Sequence, residues 1–387
     1  MPTPSMLEDK LKELSNFSPT TMPVLSVYLN TQPDQHGRDN FEPFLRKELK
    51  ARASTYVPGS PERDSFDKDV KKITSWLSTE LLPSSNGAAI FACSGAGDFF
   101  EALQFDAPIQ RNQLYVYHQP HIYTLAKLND EYPPYAAVIA DTNSARIFVF
   151  GLARTLAART VTNPKVRSRA QSGVSTAPFR SPAGWSMRRY QLHVENYHLR
   201  HGKEVIDQLD RIVREEGIEH IILAGDEVIL PILREQLSPF LAAKVIEEKN
   251  LDMNIPEHEL LTMTLATMRE HDAQTDSESV AAMIDEYRAG GLAAVGVHDV
   301  LAALANGQVD TLFLSTALEQ LHPDKEDLHE ALAPDIGRLP PGSGAEVKIP
   351  DALVTRAQQT GAQVKFIEDA ALLANVGGIG ASLRYRL

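Results

Sequence analysis

The spacing of apolar and polar positions divides the chain into three stretches, and the first mixes strands with helices. Its predicted strands are residues 24–29, 88–93, 99–105 and 113–118, and its predicted helices are residues 41–53 and 61–81. Asn86 and Gly87 form a turn-prone pair before the second strand. Strands and helices mixed in this way predict an α/β layer domain over residues 1–131.

The second stretch begins after Pro133 and Pro134, because proline restricts both itself and the residue before it. The pattern predicts strands at residues 135–141, 145–151, 156–161 and 220–224, a helix at residues 185–216, and a helix after Asp226. Apolar residues of the long helix recur mostly every three or four positions. At about 1.5 Å per residue this helix is about 45 Å long. We therefore predict a middle domain over residues 135–252 built around one long helix.

The third stretch, residues 256–387, again alternates helices and strands. The predicted elements are an acidic helical region to residue 289, helices at 297–305 and 351–360, strands at 309–314 and 363–367, and a last strand after a glycine cluster. Gly290 and Gly291 break the acidic helical region. The alternation predicts a third α/β domain. The predicted fold class is therefore α/β (α+β) with three domains.

Composition restricts the class of protein. Hydrophobic residues make up 43% and charged residues 23% of the 387 positions, which is typical of globular domains. The single cysteine, Cys93, excludes an intramolecular disulfide and a cysteine-based zinc site, and we expect it to be buried. The N-terminus does not resemble a signal peptide, and no apolar run approaches the ~18 residues that span a bilayer. We expect a cytoplasmic protein that does not bind membranes.

Charge is distributed unevenly along the chain. The net charge of −13 argues against bulk electrostatic binding to nucleic acid. Residues 154–194 nevertheless contain no Asp or Glu. Their basic residues are Arg154, Arg159, Lys165, Arg167, Arg169, Arg180, Arg188 and Arg189. Arginine neutralises phosphates and releases their counterions, so the segment favours RNA contact. The alternative is a surface loop whose charge is incidental.

Several passages resemble a known family. The C-terminal run Val376-Gly-Gly-Ile-Gly-Ala-Ser-Leu-Arg-Tyr385 is similar to the last strand of the archaeo-eukaryotic class-one release factors and Pelota. Residues 295–310, 138–205 and 86–95 resemble further parts of that family, which includes bacterial Balon-like ribosome factors. The resemblance implies an N-terminal decoding-centre-type domain, a ribonuclease-H-like middle domain, and a C-terminal α/β/α domain of the kink-turn-binding ribosomal-protein type.

The resemblance also locates a candidate site. Release factors carry Gly-Gly-Gln at the loop-to-helix junction, where its glutamine helps place a water on the peptidyl ester. Here the matching residues are Ala183-Gly184-Trp185-Ser186. Trp185 offers an indole N–H and a stacking face but no acceptor to orient a water, so we assign no catalytic residue. It either stacks on a base or packs the helix start. The predicted RNA-binding residues are Arg167, Arg169, Arg180, Ala183, Gly184, Trp185, Ser186, Arg188 and Arg189.

The family's codon-reading Asn-Ile-Lys-Ser motif is absent between Asn30 and Ser84. The resemblance therefore implies a ribosome-binding factor that occupies the A site without reading a codon, in hibernation or rescue. The expected partners are ribosomal RNA, tRNA and a translational GTPase. One alternative is a peptidyl-tRNA hydrolase or a tRNA-cleaving release factor. Another is a protein-interaction module unrelated to ribosomes.

Other candidate residues have simpler interpretations. His193, Tyr197 and His201 share one face of the long helix, where RNA contact or core packing is expected because no carboxylate or cysteine completes a metal site. Asp226 is predicted to cap a helix, and the Gly95–Gly97 run is predicted to be a hairpin turn. The sequence predicts no metal and no cofactor.

Overall fold

The described residues form an α/β structure with three separate sheets. The computed structural model describes residues 4–33, 41–152, 156–162, 183–319 and 348–386. Contacts group the chain into two compact units. The first consists of residues 1–133, 152–154 and 270–387, and the second of residues 134–151 and 155–269. The α/β fold class predicted from the sequence is confirmed, whereas the three domain boundaries stay a prediction.

The N-terminal part of the first unit carries a four-stranded antiparallel sheet in the order β3-β2-β1-β4. Its elements are α1 (Pro4–Ser15), β1 (Val24–Asn30), α2 (Phe41–Ala53), α3 (Pro61–Thr79), β2 (Gly87–Cys93), β3 (Phe99–Phe105), β4 (Gln113–Tyr117) and α4 (Tyr123–Glu131). The predicted turn at Gly95–Gly97 joins β2 to β3, and Gly97 has the positive φ (+65°) that such a turn requires. Cys93 is fully buried, as expected.

The second unit has a five-stranded sheet in the order β7-β6-β5-β8-β9, in which β5, β8 and β9 run parallel. Its elements are β5 (Tyr135–Ala140), β6 (Ser144–Phe150), β7 (Leu156–Thr162), α5 (Ala183–Glu216), β8 (His220–Gly225), α6 (Ile229–Gln236), α7 (Pro239–Ala242) and β9 (Val245–Asn250). The Asp226 carboxylate accepts hydrogen bonds from the N–H groups of Val228 (2.9 Å) and Ile229 (2.8 Å). The predicted capping role of Asp226 is therefore confirmed.

The described part of the chain after residue 256 contains further helices and strands. They are α8 (Glu257–Arg288), β10 (Ala293–Val295), α9 (Val297–Ala305), β11 (Val309–Ser315), α10 (Lys348–Thr360), β12 (Gln363–Ile367), α11 (Ala370–Leu373) and β13 (Ile379–Leu383). The C-terminal sheet has the order β10-β13-β11-β12, with β11 and β12 parallel. Gly290 lies just after the end of α8 and has a φ of +70°. This agrees with the break in the helical pattern that the sequence predicted at this glycine.

The C-terminal Gly-Gly-Ile-Gly…Leu-Arg-Tyr run has a structural role within this sheet. Gly377 and Gly378 adopt positive φ (+75° and +78°), a conformation that favours glycine. The Arg384 guanidinium donates a 2.6 Å hydrogen bond to the carbonyl of Gly361, just past the end of α10. The Tyr385 hydroxyl donates to the carbonyl of Asn306, just past α9, at 3.1 Å. These side chains satisfy carbonyls that a helix end leaves without partners.

Both parts of the first unit share one hydrophobic core. Leu7 and Leu11 of α1 and Leu125 of α4 belong to the same buried cluster as Leu353 and Val354 of α10. The N-terminal and C-terminal sheets are therefore parts of one compact unit in this fold, although they are separated in sequence by the second unit.

Candidate functional site

The candidate site lies on α5, a 34-residue helix about 51 Å long. Val205, Leu209 and Ile212 in its C-terminal half are buried in the core of the second unit. Glu195 and Arg200, nearer its start, are exposed. Buried positions among the described side chains of α5 begin at His201. Because a helix rises about 1.5 Å per residue, Trp185 lies about 24 Å from His201 along the helix axis.

Six of the nine predicted RNA-binding residues lie together in the first two turns of α5. They are Ala183, Gly184, Trp185, Ser186, Arg188 and Arg189. The helix begins at Ala183, two residues earlier than predicted, so the residues that match Gly-Gly-Gln are already helical. The other three, Arg167, Arg169 and Arg180, lie outside the described residues, so their place relative to the helix start stays a prediction.

The charges along α5 divide it into two parts. In the later part, Arg200 lies 3.3 Å from Glu204 and Arg214 lies 2.8 Å from Asp210, each one turn away. Within each pair, the positive and the negative charge neutralise each other. Near the helix start no Asp or Glu occurs between residues 154 and 194, so Arg188 has no carboxylate within four positions. The same is true of Arg189.

The helix terminus adds to this positive charge. The first four N–H groups of an α-helix have no acceptor inside the helix, and together they carry about half a positive charge. Helix N-termini bind phosphate for this reason. The start of α5 therefore combines backbone donors, two arginines and an aromatic residue, a set that suits single-stranded nucleic acid.

The aromatic and histidine residues further along α5 have a different role. His201 is completely buried, and neither of its ring nitrogens has a hydrogen-bond partner among the described residues. Of the two interpretations of this residue, core packing is the one that full burial supports. Tyr197 is half-buried, and the side chain of His193 lies outside the described residues. Within the described ranges, no group of His, Cys, Asp or Glu is arranged to hold a metal ion.

A buried carboxylate that the sequence did not single out lies in the first unit. Asp69 of α3 accepts hydrogen bonds from the Ser94 N–H (2.7 Å) and hydroxyl (2.6 Å). Burial raises the pKa of Asp69 to about 6, against the lowering effect of these two bonds. Burial also raises the pKa of Cys93 to about 11, so the neighbouring thiol is a poor nucleophile. Asp69 fixes the hairpin between β2 and β3, which is a structural task.

A groove of about 900 Å³ lies between α2 and α3. Leu45, Leu49 and Phe66 contribute apolar lining, and Arg46 and Lys50 lie among them. The described part of its lining contains none of the predicted RNA-binding residues. Within the described ranges, no helix has both the length and the apolar character needed to cross a membrane.

Two models of protein families match parts of the sequence. The model of bacterial archaeo-eukaryotic release factor family 10 matches residues 120–269. The model of eRF1 domain 3 matches residues 273–387, so the two matches together cover more than half of the 387 residues. The chain belongs to the bacterial archaeo-eukaryotic release-factor family. The resemblance seen in the sequence is thereby confirmed, and the first match includes the whole of α5.

Several solved structures are similar to the chain at low sequence identity. The archaeal translation termination factor aRF1 is 18% identical over 99% of both chains, with a TM-score of 0.26. Dom34 of S. cerevisiae, described as a termination-like factor that interacts with Hbs1, is 11% identical over 78% of this chain and 87% of its own, with a TM-score of 0.41. Archaeal Pelota, from a model of ribosome-bound Pelota and ABCE1, is 13% identical over 98% and 94%, with a TM-score of 0.41. No curated protein matches the sequence.

Proposed function

We propose that this release-factor relative binds the ribosomal A site without reading a codon. The start of α5 would contact RNA of the peptidyl-transferase region. The carrying observation is the acid-free, arginine-bearing start of a helix in which buried positions among the described side chains begin at His201, about 24 Å from Trp185. Its position in the chain is that of the family's Gly-Gly-Gln. Rescue of stalled ribosomes and hibernation of idle ones are the two roles that fit such a factor.

The chemistry of position 185 favours binding over hydrolysis. A glutamine at this position offers both a carbonyl acceptor and an amide donor, whereas Trp185 offers one N–H and a large ring. Stacking of a ring on a single-stranded base is worth about 1–3 kcal/mol. Trp185 thus has the chemistry of an RNA contact and lacks that of a water-positioning residue.

The N-terminal part supports a role without codon recognition. Residues 54–60, which connect α2 to α3, read Ser-Thr-Tyr-Val-Pro-Gly-Ser. The family's Asn-Ile-Lys-Ser motif is absent from this connection, as it is from all of residues 30–84, and Tyr56 is buried against Phe66. Family membership further suggests a translational GTPase and tRNA as partners and the cytoplasm as the location. These partners and this location are parts of the proposal.

Co-sedimentation with ribosomes over a salt series, followed by a peptidyl-tRNA release assay, tests the proposal. We expect salt-sensitive co-sedimentation without release of peptide. Absence of co-sedimentation at every salt concentration would contradict ribosome binding. Peptide release that Trp185→Ala abolishes would instead favour the enzyme, a peptidyl-tRNA hydrolase. Arg200→Ala is the matched control, because Arg200 lies exposed on the same helix and already pairs with Glu204.

A further inference from the structure

Helix α4 follows the N-terminal sheet in the chain and makes a polar contact with the C-terminal part of the first unit at each of its ends. At its start, the Asp351 carboxylate of α10 accepts hydrogen bonds from the N–H groups of Ile122 (2.8 Å) and Tyr123 (3.0 Å). At its end, the Asp130 carboxylate accepts one from the N–H of Phe366 in β12 (2.7 Å). Asp351 lies 229 positions from Ile122 in the sequence, so these bonds join distant parts of the chain.

The Asp351 carboxylate lies in apolar surroundings. Leu125 and Leu128 of α4 pack in the same buried cluster as Leu353 and Val354, which follow Asp351 on α10. Only 5% of the Asp351 side chain is exposed. An ionised carboxylate in such a place is costly unless a positive charge or a proton compensates it. We call the arrangement in which α4 contacts α10 and β12 the docked state. This state is therefore favoured when the buried carboxylate carries a proton.

The groups that face Asp351 include the titratable base His121. The Nδ1 atom of His121 lies 3.3 Å from the carboxylate, and its ring stacks on Tyr115 with centroids 3.7 Å apart. Burial raises the pKa values of Tyr28 of β1 and Tyr117 of β4, and the nearby charge of Asp351 raises them further. Burial raises the pKa of Asp351, opposed by His121 and the two N–H groups. Without a bound proton, this buried pair carries a net negative charge.

The groups that face Asp130 come from α8 and β12. Burial raises its pKa to about 7, and the hydrogen bond from the Phe366 N–H opposes that rise. Asp276 and Asp272 of α8 raise the pKa of Asp130 further, whereas Lys365 of β12 lowers it. Lys365 already lies 3.4 Å from Asp276, so its charge is shared between carboxylates.

We propose that α4 and its two carboxylate contacts form a proton-operated latch that holds the N-terminal sheet of the first unit against its C-terminal sheet. Separation of α4 from the C-terminal sheet returns Asp130 toward its ordinary pKa of 3.8. A carboxyl whose pKa is raised in the docked state stabilises docking fully below the ordinary pKa. That contribution is lost as pH rises through about 7, the docked pKa of Asp130. The latch concerns the fold of the first unit and does not depend on ribosome binding.

Hydrogen exchange of the full-length chain between pH 5 and pH 8 tests the latch. After correction for intrinsic exchange rates, we expect protection of α4 and β12 to fall as pH rises and to level off above about 7.5. The fall is roughly tenfold per pH unit for each proton linked to docking. Peptides from β5 in the second unit serve as an internal reference. A wild-type profile in which α4 and β12 are independent of pH would overturn the proposal.

Two variants separate the latch from a purely structural role of α4. Asp130→Asn keeps an oxygen that accepts from the Phe366 N–H but cannot titrate, so we expect the slope of its protection profile below pH 7 to fall by the contribution of one proton. Asp351→Asn makes the corresponding change at the start of α4. Asp285→Asn is the control, because this α8 side chain is 78% exposed, and we expect the wild-type profile. A wild-type slope in Asp130→Asn would refute the assignment to that group.

Discussion

At the scale of single residues, Trp185 carries the functional account. Trp185→Ala removes the stacking face while leaving the arginines of α5 in place. We expect ribosome affinity to fall roughly 5- to 150-fold, which corresponds to about 1–3 kcal/mol of base stacking. Trp185→Phe keeps an aromatic face and should retain most of the affinity. Equal affinities of wild type and Trp185→Ala, measured by equilibrium sedimentation with ribosomes, would rule out the stacking contact.

Gly225 is a residue-scale test of the fold of the second unit. A Cβ atom at this position would lie 2.5 Å from the Ala140 carbonyl oxygen and 2.7 Å from the Cγ2 atom of Ile229. The backbone oxygen belongs to a central strand, β5, and has little freedom to move. We expect Gly225→Ala to lower the free energy of unfolding by about 1–3 kcal/mol, the usual cost of overpacking.

The midpoint of urea unfolding, followed by far-UV circular dichroism, measures this loss. Gly151→Ala in the same unit is the matched control, because its Cβ would make only an ordinary 3.4 Å contact with the Cα atom of Pro134. The packing argument fails if the two alanine variants unfold at the same urea concentration.

At the scale of elements, α5 has an electrostatic signature of its own. Each phosphate contact contributes about 0.7–0.9 to the slope of log affinity against log salt concentration. We expect the double variant Arg188→Ala/Arg189→Ala to reduce that slope by roughly 1–2. Arg214→Ala, whose guanidinium pairs with Asp210 on the same helix, should leave the slope unchanged. A reduction of the same size in both variants would mean that the start of α5 has no special role.

The sequence predicted the elements whose stability is local. The helix Phe41–Ala53 and the strand Phe99–Phe105 have the predicted bounds, because periodicity and turn residues define them. Helix α4 was not predicted, since its two ends are fixed by Asp351 and Phe366, far along the chain. A local pattern does not contain such partners.

Strand β9 was missed for a related reason. Its sequence, Val245–Asn250, is half charged, and it forms a strand because it pairs with the parallel edge of β8. The start of α5 was predicted to within two residues, whereas the shared core of the first unit was not anticipated. Sharing of a core depends on which apolar faces meet after folding, and periodicity within one element does not specify that.

At the scale of the whole molecule, the charge distribution supports the proposed location of RNA contact. The family matches cover residues 120–269 and 273–387, and the acid-free segment lies inside the first of them. An acidic chain with a net charge of −13 is repelled by nucleic acid except where its charge is locally reversed. RNA contact is therefore expected to be confined to the start of α5 and its preceding segment.

Site-specific photo-crosslinking to ribosomes tests this expectation most directly. A photoreactive phenylalanine analogue in place of Trp185 should crosslink to large-subunit ribosomal RNA in the peptidyl-transferase region. The same analogue in place of Leu199, an exposed residue further along α5, should not. Crosslinks from position 185 that reach only ribosomal protein or the small subunit, or no crosslink in a bound complex, would contradict the proposed placement of α5.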